Sequence, residues 1–353
     1  MYLNTRRKKE LRFIAKFNPH LKEWAFFCFL GKIQKFKRFL TLNCSLIRKL
    51  DIMNDFIQPL SDEYKDIYFI QGELNARYPY SHSLLVGDYL IDTGISSKRL
   101  RKLKKLFPIN HVFLSHWHED HISGNYLLKD AKFHCHLKDK PPIEDIEKMI
   151  PYYNVAGTPI EDEMRKLIEV LRMKNVKIDD LIEENQIIDI GNELKLQVIY
   201  TPGHTAGHCS FYELNTKVAF LGDIDLSKYP YYGNIDASLI EFENSIAKIK
   251  DLDVNIVVTG HRGVIEGRSK IREEIEKYES ILQERDERIL SYFPERSKPI
   301  KLIDFKYKNI IYRKYTAFKD FELIAELLMI EKHFEKFLKY DIISKKKDGY
   351  ILN

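Results

Sequence analysis

From Ile67 onward, short apolar runs broken by glycine set the pattern of the chain. DIYFIQG and HSLLVGDYLIDTG predict hairpin strands, and HVFLSH predicts a further strand that ends in histidines. DHISGNYLLKDA reads as a helix and KFHCHL as a strand, after which Pro141 and Pro142 break the chain. Residues 143–184 read as mainly helical, because EDEMRKLIEVLRMKN spaces its apolar positions by three and four. QIIDIGNELKLQVIYTPGH returns to strands around a turn at Gly191-Asn192. CSFYEL, KVAFLGD and VNIVVTGH are three more strands, with a helix, SLIEFENSIAKIKDL, between the last two. RSKIREEIEKYESILQERDERILSYF is a long amphipathic helix dense in charge pairs. Past Pro294 the pattern predicts short helices and a closing strand–turn–strand, KYDIISKKKDGYILN, with Asp348-Gly349 at the turn. There is no internal repeat.

Composition changes this picture in three ways. A chain of 353 residues has room for about two domains. Its longest apolar cluster, WAFFCFL from Trp24, falls well short of the roughly 18 residues of a membrane span. Cys28, Cys44, Cys135 and Cys209 form no CxxC pair, so they read as free thiols of a cytoplasmic protein rather than as a thiolate site. The net charge of +5 is uneven: residues 1–52 hold 13 Lys/Arg against 3 Asp/Glu, and the rest of the chain is net negative. Residues 1–52 therefore read as a basic N-terminal extension, an accessory arm or an overlong start before Met53. A targeting segment, or an arm for nucleic acid or anionic lipid, is the alternative. The expected domains are 53–270, carrying the strands, and 271–353, carrying the long helix and the C-terminal end.

The chemistry concentrates in HVFLSHWHEDHISG, where His116, His118, Asp120 and His121 occupy six positions at the end of a strand. On extended backbone His116 and His118 point to the same side, and Asp120 and His121 can turn toward a second point nearby. Three later segments repeat one pattern of strand, glycine, ligand: His204 in VIYTPGHTAGH, Asp223 in VAFLGDIDL and His261 in IVVTGHRGV. The glycines let the backbone turn sharply beside a site. Imidazole and carboxylate without thiolate suit zinc, iron or manganese, and an aspartate between two histidine groups can bridge two metals. A dinuclear hydrolytic centre is the reading these residues favour over coincidental polar loops.

The same residues resemble the metallo-β-lactamase superfamily. The HxHxDH motif stands at His116–His121, and the later elements match at His204, Asp223 and His261. The early aspartate matches Asp92 in YLIDTG. The resemblance implies an α+β fold, a four-layer αββα sandwich with the site on one edge. It implies that His116, His118 and His204 bind one metal, that Asp120, His121 and His261 bind the other, and that Asp223 bridges them. Asp92 would sit behind a ligand and fix its orientation. Two divalent ions are expected, zinc first, with iron or manganese as alternatives. Flavodiiron proteins of this fold carry Glu where His118 stands, so histidine there favours hydrolysis over oxygen reduction. The long helix and HFEKFLKYDIIS with KKKDGYILN resemble the hydrolase subgroup with a small C-terminal winged-helix-like domain, which includes glyoxalase II-like and endoribonuclease-like members.

What the resemblance implies is a hydrolase that uses a hydroxide held by two metal ions, with Asp120 orienting the nucleophile, on a small thioester, lactone or related ester. The Gly-Arg element that comes after the GD motif of glyoxalase II is absent, which argues against glutathione thioesters. An RNA phosphodiesterase is the alternative. The lysines Lys345, Lys346 and Lys347 and the basic head suit a polyanion, but there is no β-CASP insertion. A mononuclear iron persulfide dioxygenase and a non-catalytic binding protein are further alternatives. His208, four residues after His204, is a candidate for the pocket or a structural histidine. Tyr231 and Tyr232, with Tyr229, are candidates for the pocket mouth. His134 and His136 share a strand face, but no partner ligands accompany them.

Overall fold

The computed structural model describes residues 55–60, 66–294, 298–316 and 318–353. The basic extension expected at 1–52 lies outside the described residues, as do Cys28 and Cys44. Two sheets dominate. The first takes β1 (Ile57–Pro59), β2 (Ile67–Ile70), β3 (Ser83–Val86), β4 (Tyr89–Ile91), β5 (His111–Phe113), β6 (Lys132–His136) and β7 (Asp180–Ile182) in chain order. It is antiparallel up to β4 and parallel from β4 to β7. The second contains β8 (Ile187–Gly191), β9 (Leu194–Tyr200), β10 (Cys209–Glu213), β11 (Val218–Phe220), β12 (Ile256–Thr259) and β13 (Gly263–Glu266). Only its β11–β12 pair is parallel.

Period-two patterning decides how the sheets meet. In β9 Leu194, Leu196 and Val198 turn inward and share a core with Phe211, Val218, Phe220 and Val258 of the second sheet. Ile67, Leu84, Val86, Ile91 and Phe113 of the first sheet close that core from the other side. The opposite face of the second sheet is covered by α6 (Leu239–Lys250) and α7 (Arg268–Ser291), through Phe242, Ile246, Ile271 and Ile275. The remaining helices are α1 (Ser97–Leu103), α2 (Glu119–Ile122), α3 (Lys140–Glu144), α4 (Met149–Tyr152), α5 (Ile160–Val170) and α8 (Lys319–Lys339). The result is the four-layer αββα sandwich that the motifs imply.

Three expected elements differ. The helix read from DHISGNYLLKDA is a single turn, α2, followed by a 3-10 turn at Asn125–Leu127. His121 offers its carbonyl to the Thr93 amide (2.7 Å), and Gly124 sits too close to the Thr93 carbonyl for any larger residue, so the backbone is committed to that crossing. Residues 143–184 are not mainly helical: Pro151, Gly157 and Pro159 leave only α5 as an extended helix. After Pro294 the chain forms one short 3-10 turn (Leu302–Phe305) and then, instead of further short helices, the 21-residue α8, followed by the hairpin β14 (Ile343–Lys346) and β15 (Gly349–Leu352).

Phe56–Asn353 form one compact unit. The expected boundary at 270/271 falls inside α7, and Met329, Ile330, Phe334 and Phe337 of α8 belong to the same apolar cluster as α6 and α7. Among the described residues no helix is long and apolar enough to cross a membrane.

Candidate metal centre

Five loops deliver the candidate ligands, and each comes after the C-terminal end of a strand: Asp92 after β4, His116 after β5, His204 after β9, Asp223 after β11 and His261 after β12. Two glycines show how close the packing is. Gly222 has a positive φ of 54°, and a Cβ there would lie 2.5 Å from His208 Nε2. A Cβ on Gly260 would lie 2.6 Å from Asp223 Oδ1 and 2.7 Å from His121 Cε1.

The candidates gather into two groups whose donor atoms lie within 4.8 Å of one another: His116, His118, His204 and Asp223, and beside them Asp120, His121 and His261. Asp223 faces both. Its Oδ2 is 3.3 Å from His204 Nε2 and 3.9 Å from His116 Nε2, while its Oδ1 is 2.9 Å from His121 Nε2 and 3.5 Å from His261 Nε2. Asp120 Oδ2 is 3.2 Å from His261 Nε2.

Each ring is held from behind. His121 Nδ1 meets Asp92 Oδ2 at 2.7 Å, His204 Nδ1 meets the Tyr231 carbonyl at 2.8 Å, and His261 Nδ1 meets the Ala76 carbonyl at 2.9 Å. His116 Nδ1 is 2.9 Å from Ser115 Oγ. Asp92, with φ 62°, also accepts from the Ser115 amide and hydroxyl at 2.8 and 2.7 Å, so its carboxylate is saturated by groups that orient ligands. These outer bonds turn the inner nitrogens toward one another as lone pairs. His204 Nε2 lies only 3.2 Å from His116 Nε2 and 2.9 Å from His118 Nδ1. Either protons or a cation must separate such atoms.

The electrostatics point the same way. Burial, then the neighbouring histidines, hold His116 and His118 well below the usual histidine range. Burial also opposes a charge on His121, yet Asp223, Asp92 and Asp120 outweigh it and lift its pKa to about 10. His261 is raised by Asp223 and Asp120 against the same burial. Without a cation, the buried carboxylates draw protons onto the imidazoles. Asp223 Oδ1 is buried and, although 2.9 Å from His121 Nε2, is out of line for a hydrogen bond. An orphaned carboxylate oxygen and converging imidazole lone pairs fit divalent cations, with ligand types that suit zinc, iron or manganese.

The other candidates separate clearly. His208 is fully buried; its Nε2 accepts from the Asp223 amide (3.1 Å) and its Nδ1 bonds to Thr201, so it braces the Asp223 loop instead of lining a pocket. Tyr231 faces the site, its ring 5.9 Å from His118 and 5.8 Å from His204. Tyr232 does not line a pocket: it is wholly buried among the helices, its hydroxyl between His333 (2.8 Å) and Arg285 (2.9 Å). Consecutive residues on an extended loop point opposite ways, and only one of the two can face the metals. Tyr229 is 69% exposed. His134 pairs with His111 at 3.0 Å, and His136 stacks on Tyr200, both away from the donor groups. Cys135 and Cys209 are buried free thiols.

Several contributors carry no sequence signal. Asn234 reaches His118 Nε2 (2.9 Å) and the His204 carbonyl (3.1 Å). Asp139 ties the two histidine loops together, accepting from the Trp117 amide, the Thr205 hydroxyl and the Gly207 amide. Glu119, inside the motif, is buried and accepts from Tyr78 (2.6 Å) and Tyr153 (2.5 Å), and Tyr153 stacks on His118. Only Glu119 and Trp117 lie near the motif; the rest arrive through tertiary packing.

Comparison with known proteins agrees with this geometry. The sequence model of the Metallo-beta-lactamase superfamily matches residues 80–261. A beta-lactamase-like protein 2 homolog of Caenorhabditis elegans is 27% identical over 221 residues, 59% of this chain and 62% of that protein. A hydroxyacylglutathione hydrolase of Mesorhizobium japonicum is 30% identical over 112 residues, 32% of each chain. The match thus spans less than two thirds of either relative's length. Among solved structures, a metallo-beta-lactamase family protein from Thermus thermophilus superimposes with a TM-score of 0.58 at 19% identity, covering 84% of this chain and 97% of that one.

Proposed function

Because this chain belongs to the metallo-beta-lactamase superfamily, we propose that it is a metal-dependent hydrolase with a two-ion centre, acting on a thioester, lactone or related ester. In this reading His116, His118 and His204 hold one ion, Asp120, His121 and His261 the other, and Asp223 both. The observation that supports it most is the pair of Asp223 oxygens, one turned to each donor group. Bound ions supply a nucleophile at neutral pH by lowering the pKa of water from about 15.7 toward ~7, and they polarise the bond attacked.

The chain's own residues do the rest. The Asp120 oxygen that faces His261 would be shared with the ion, and the other would hold and orient the attacking water. Asp92, the Tyr231 carbonyl and the Ala76 carbonyl keep the imidazoles in the ligating tautomer. Tyr153 and Tyr231 wall the centre beside His118 and limit bulk water there. No serine or cysteine nucleophile is required. The ester class draws support from the hydrolase name of the Mesorhizobium relative.

RNA remains the second reading, favoured by one observation: Lys345, Lys346 and Lys347 are all exposed at the C-terminal hairpin. A screen of metal-loaded protein against acyl thioesters, lactones and single-stranded RNA, with His116→Ala as control, separates the two. Thioester or lactone turnover abolished by the substitution is expected. RNA cleavage abolished by it selects the second reading. No turnover of any substrate, with less than about one metal bound per chain, would falsify the hydrolase reading.

A further inference from the structure

Outside the metal centre, Arg285 on α7 is a buried cation with an unpartnered donor. It is 3% exposed. Its Nη1 donates to the Pro230 carbonyl (2.7 Å) and the Tyr232 hydroxyl (2.9 Å), and its guanidinium lies over the Tyr232 ring. Its Nε is buried without a partner, and among the described residues no carboxylate forms an ion pair with it. A buried cation without a counter-charge is strongly unfavourable, so the fold has a reason to keep it.

Two more guanidiniums stand beside it. Arg288, half-buried one turn on, spends only its Nε, on the Glu284 carbonyl (3.3 Å). Arg313 is 82% exposed and lies 3.9 Å from Glu284, at the limit of an ion pair. Arg288 lies three residues from Arg285 on α7 and shares Glu284 as a neighbour with Arg313, and burial, then the fields of Arg285 and Arg313, pull its pKa below the usual arginine range.

The position is informative. Pro230 and Tyr232 flank Tyr231, whose carbonyl takes His204 Nδ1 and whose ring faces His118. Tyr312 lies close enough to feel both Tyr231 and Arg285. The strand of chain carrying Tyr312 and Arg313 is pinned by Glu326, which is fully buried on α8 and accepts from the Ile311 amide (2.7 Å), the Tyr312 amide (3.3 Å) and the Tyr315 hydroxyl. Tyr231 thus stands between the metal ligands it faces and the arginine held by its two chain neighbours.

We propose that Arg285, Arg288 and Arg313 form a binding site for a phosphate group on the non-reacting end of the substrate, with Tyr231 between it and the metal centre. Guanidinium forks match phosphate oxygens, and a dianion balances the cluster better than one carboxylate does. The substrate class becomes an ester or thioester whose leaving group carries a phosphate. This part rests on the hydrolase reading; the phosphate site itself does not.

The test uses the full metal-loaded chain and R288Q/R313Q, which spares the buried Arg285. Melting is followed as inorganic phosphate is titrated, with chloride at matched ionic strength and succinate in parallel. A saturable phosphate-specific rise that falls by at least about half in R288Q/R313Q is expected. An equal rise in both proteins means phosphate binds only at the metals and overturns the proposal. Succinate stabilising as strongly as phosphate overturns the assignment to phosphate. In kinetics, R288Q/R313Q should raise KM about tenfold for a thioester with a phosphorylated leaving group, leave kcat unchanged, and spare the unphosphorylated analogue. Equal changes for both substrates count against phosphate recognition. If no thioester is hydrolysed, the hydrolase reading fails and the melting result alone decides the phosphate site.

Discussion

Two buried clusters of histidine and aspartate in this protein are built from the same side chains to opposite ends. In the metal centre every ring is anchored from outside, and the inner nitrogens crowd together with no proton donor between them, as at His204, His116 and His118. In the seam between α6, α7 and α8, the histidine, the lysine and the carboxylates pair with one another. His333 Nδ1 meets Asp286 at 2.5 Å, its Nε2 meets the Tyr232 hydroxyl, and Lys336 bridges Glu243 (2.5 Å) and Asp286 (2.6 Å). One cluster pairs its own groups, whereas the other leaves Asp223 Oδ1 and converging imidazole nitrogens unmatched. Burial and residue type do not distinguish a site from a structural network; unmet complementarity does.

The sharpest break of this comparison is Asp223→Ala. It removes the one carboxylate that, among the described residues, faces both donor groups, and hydrolysis should fall by about a thousandfold or more, since each tenfold corresponds to about 1.4 kcal/mol of lost stabilisation. Metal content by mass spectrometry should fall with it, and the metal-free protein should also lose some stability, because Asp223 is the nearest counter-charge to His121 and His261 there. A variant that keeps its metal while losing stability would place Asp223 with the structural network.

His333→Ala should do the reverse. It takes one partner from Asp286, which keeps Lys336, and one from the Tyr232 hydroxyl, which keeps Arg285, and it empties a fully buried position; a loss of about 3 kcal/mol in unfolding free energy is expected, with metal content unchanged. The wild-type seam also has a pH signature. Burial outweighs Asp286 and holds the His333 pKa at about 4, below its ordinary value. The unfolded chain therefore binds this proton first on acidification. The contribution, about 3 kcal/mol, is present above about pH 6.5 and is lost as pH falls toward 4. Denaturant melts of metal-free protein across that range, wild type against His333→Ala, isolate it: the variant should show the shallower loss. Parallel curves would show that His333 is protonated in the native state.

Asp92→Asn tests the outer layer of the metal centre. The amide keeps the shape but weakens the hold on His121 Nδ1 and offers the Ser115 amide and hydroxyl a poorer acceptor. Metal affinity at the second group should drop by roughly 10–100-fold, read by competition with a chelator. Unchanged affinity would mean that packing alone orients His121.

The sequence makes one of these clusters legible and hides the other, for a physical reason. His116, His118, Asp120 and His121 sit in one strand-end loop, and His204, Asp223 and His261 each come after their own strand, so local pattern locates them. Asn234, Asp139 and Tyr153 act on the same centre but reach it through packing, with no periodicity to announce them. The 21-residue α8 is hidden in a similar way. It buries Glu326, Lys332 and His333 along with Leu328, Met329 and Phe334, so no clean apolar stripe marks it as a helix. Tyr232 reads as a pocket residue in the sequence because the fate of adjacent tyrosines depends on what packs behind them, here His333 and Arg285.

Glu119 is the residue on which the comparison can be drawn most finely. It lies inside the metal motif, between His118 and Asp120, yet it behaves like the seam: a buried carboxylate whose oxygens each take a tyrosine hydroxyl, from Tyr78 and Tyr153. Burial, then the charge of Asp120, raises its pKa, and the two hydroxyls work against that. In Glu119→Gln the amide oxygen keeps one hydroxyl and the other tyrosine can rotate to accept from the amide nitrogen, so both contacts survive in altered form. The expected cost is about 1 kcal/mol in unfolding free energy, with metal content unchanged and kcat within about threefold of wild type. Loss of metal in this variant, with the fold intact, would move Glu119 from the self-satisfied class into the metal centre.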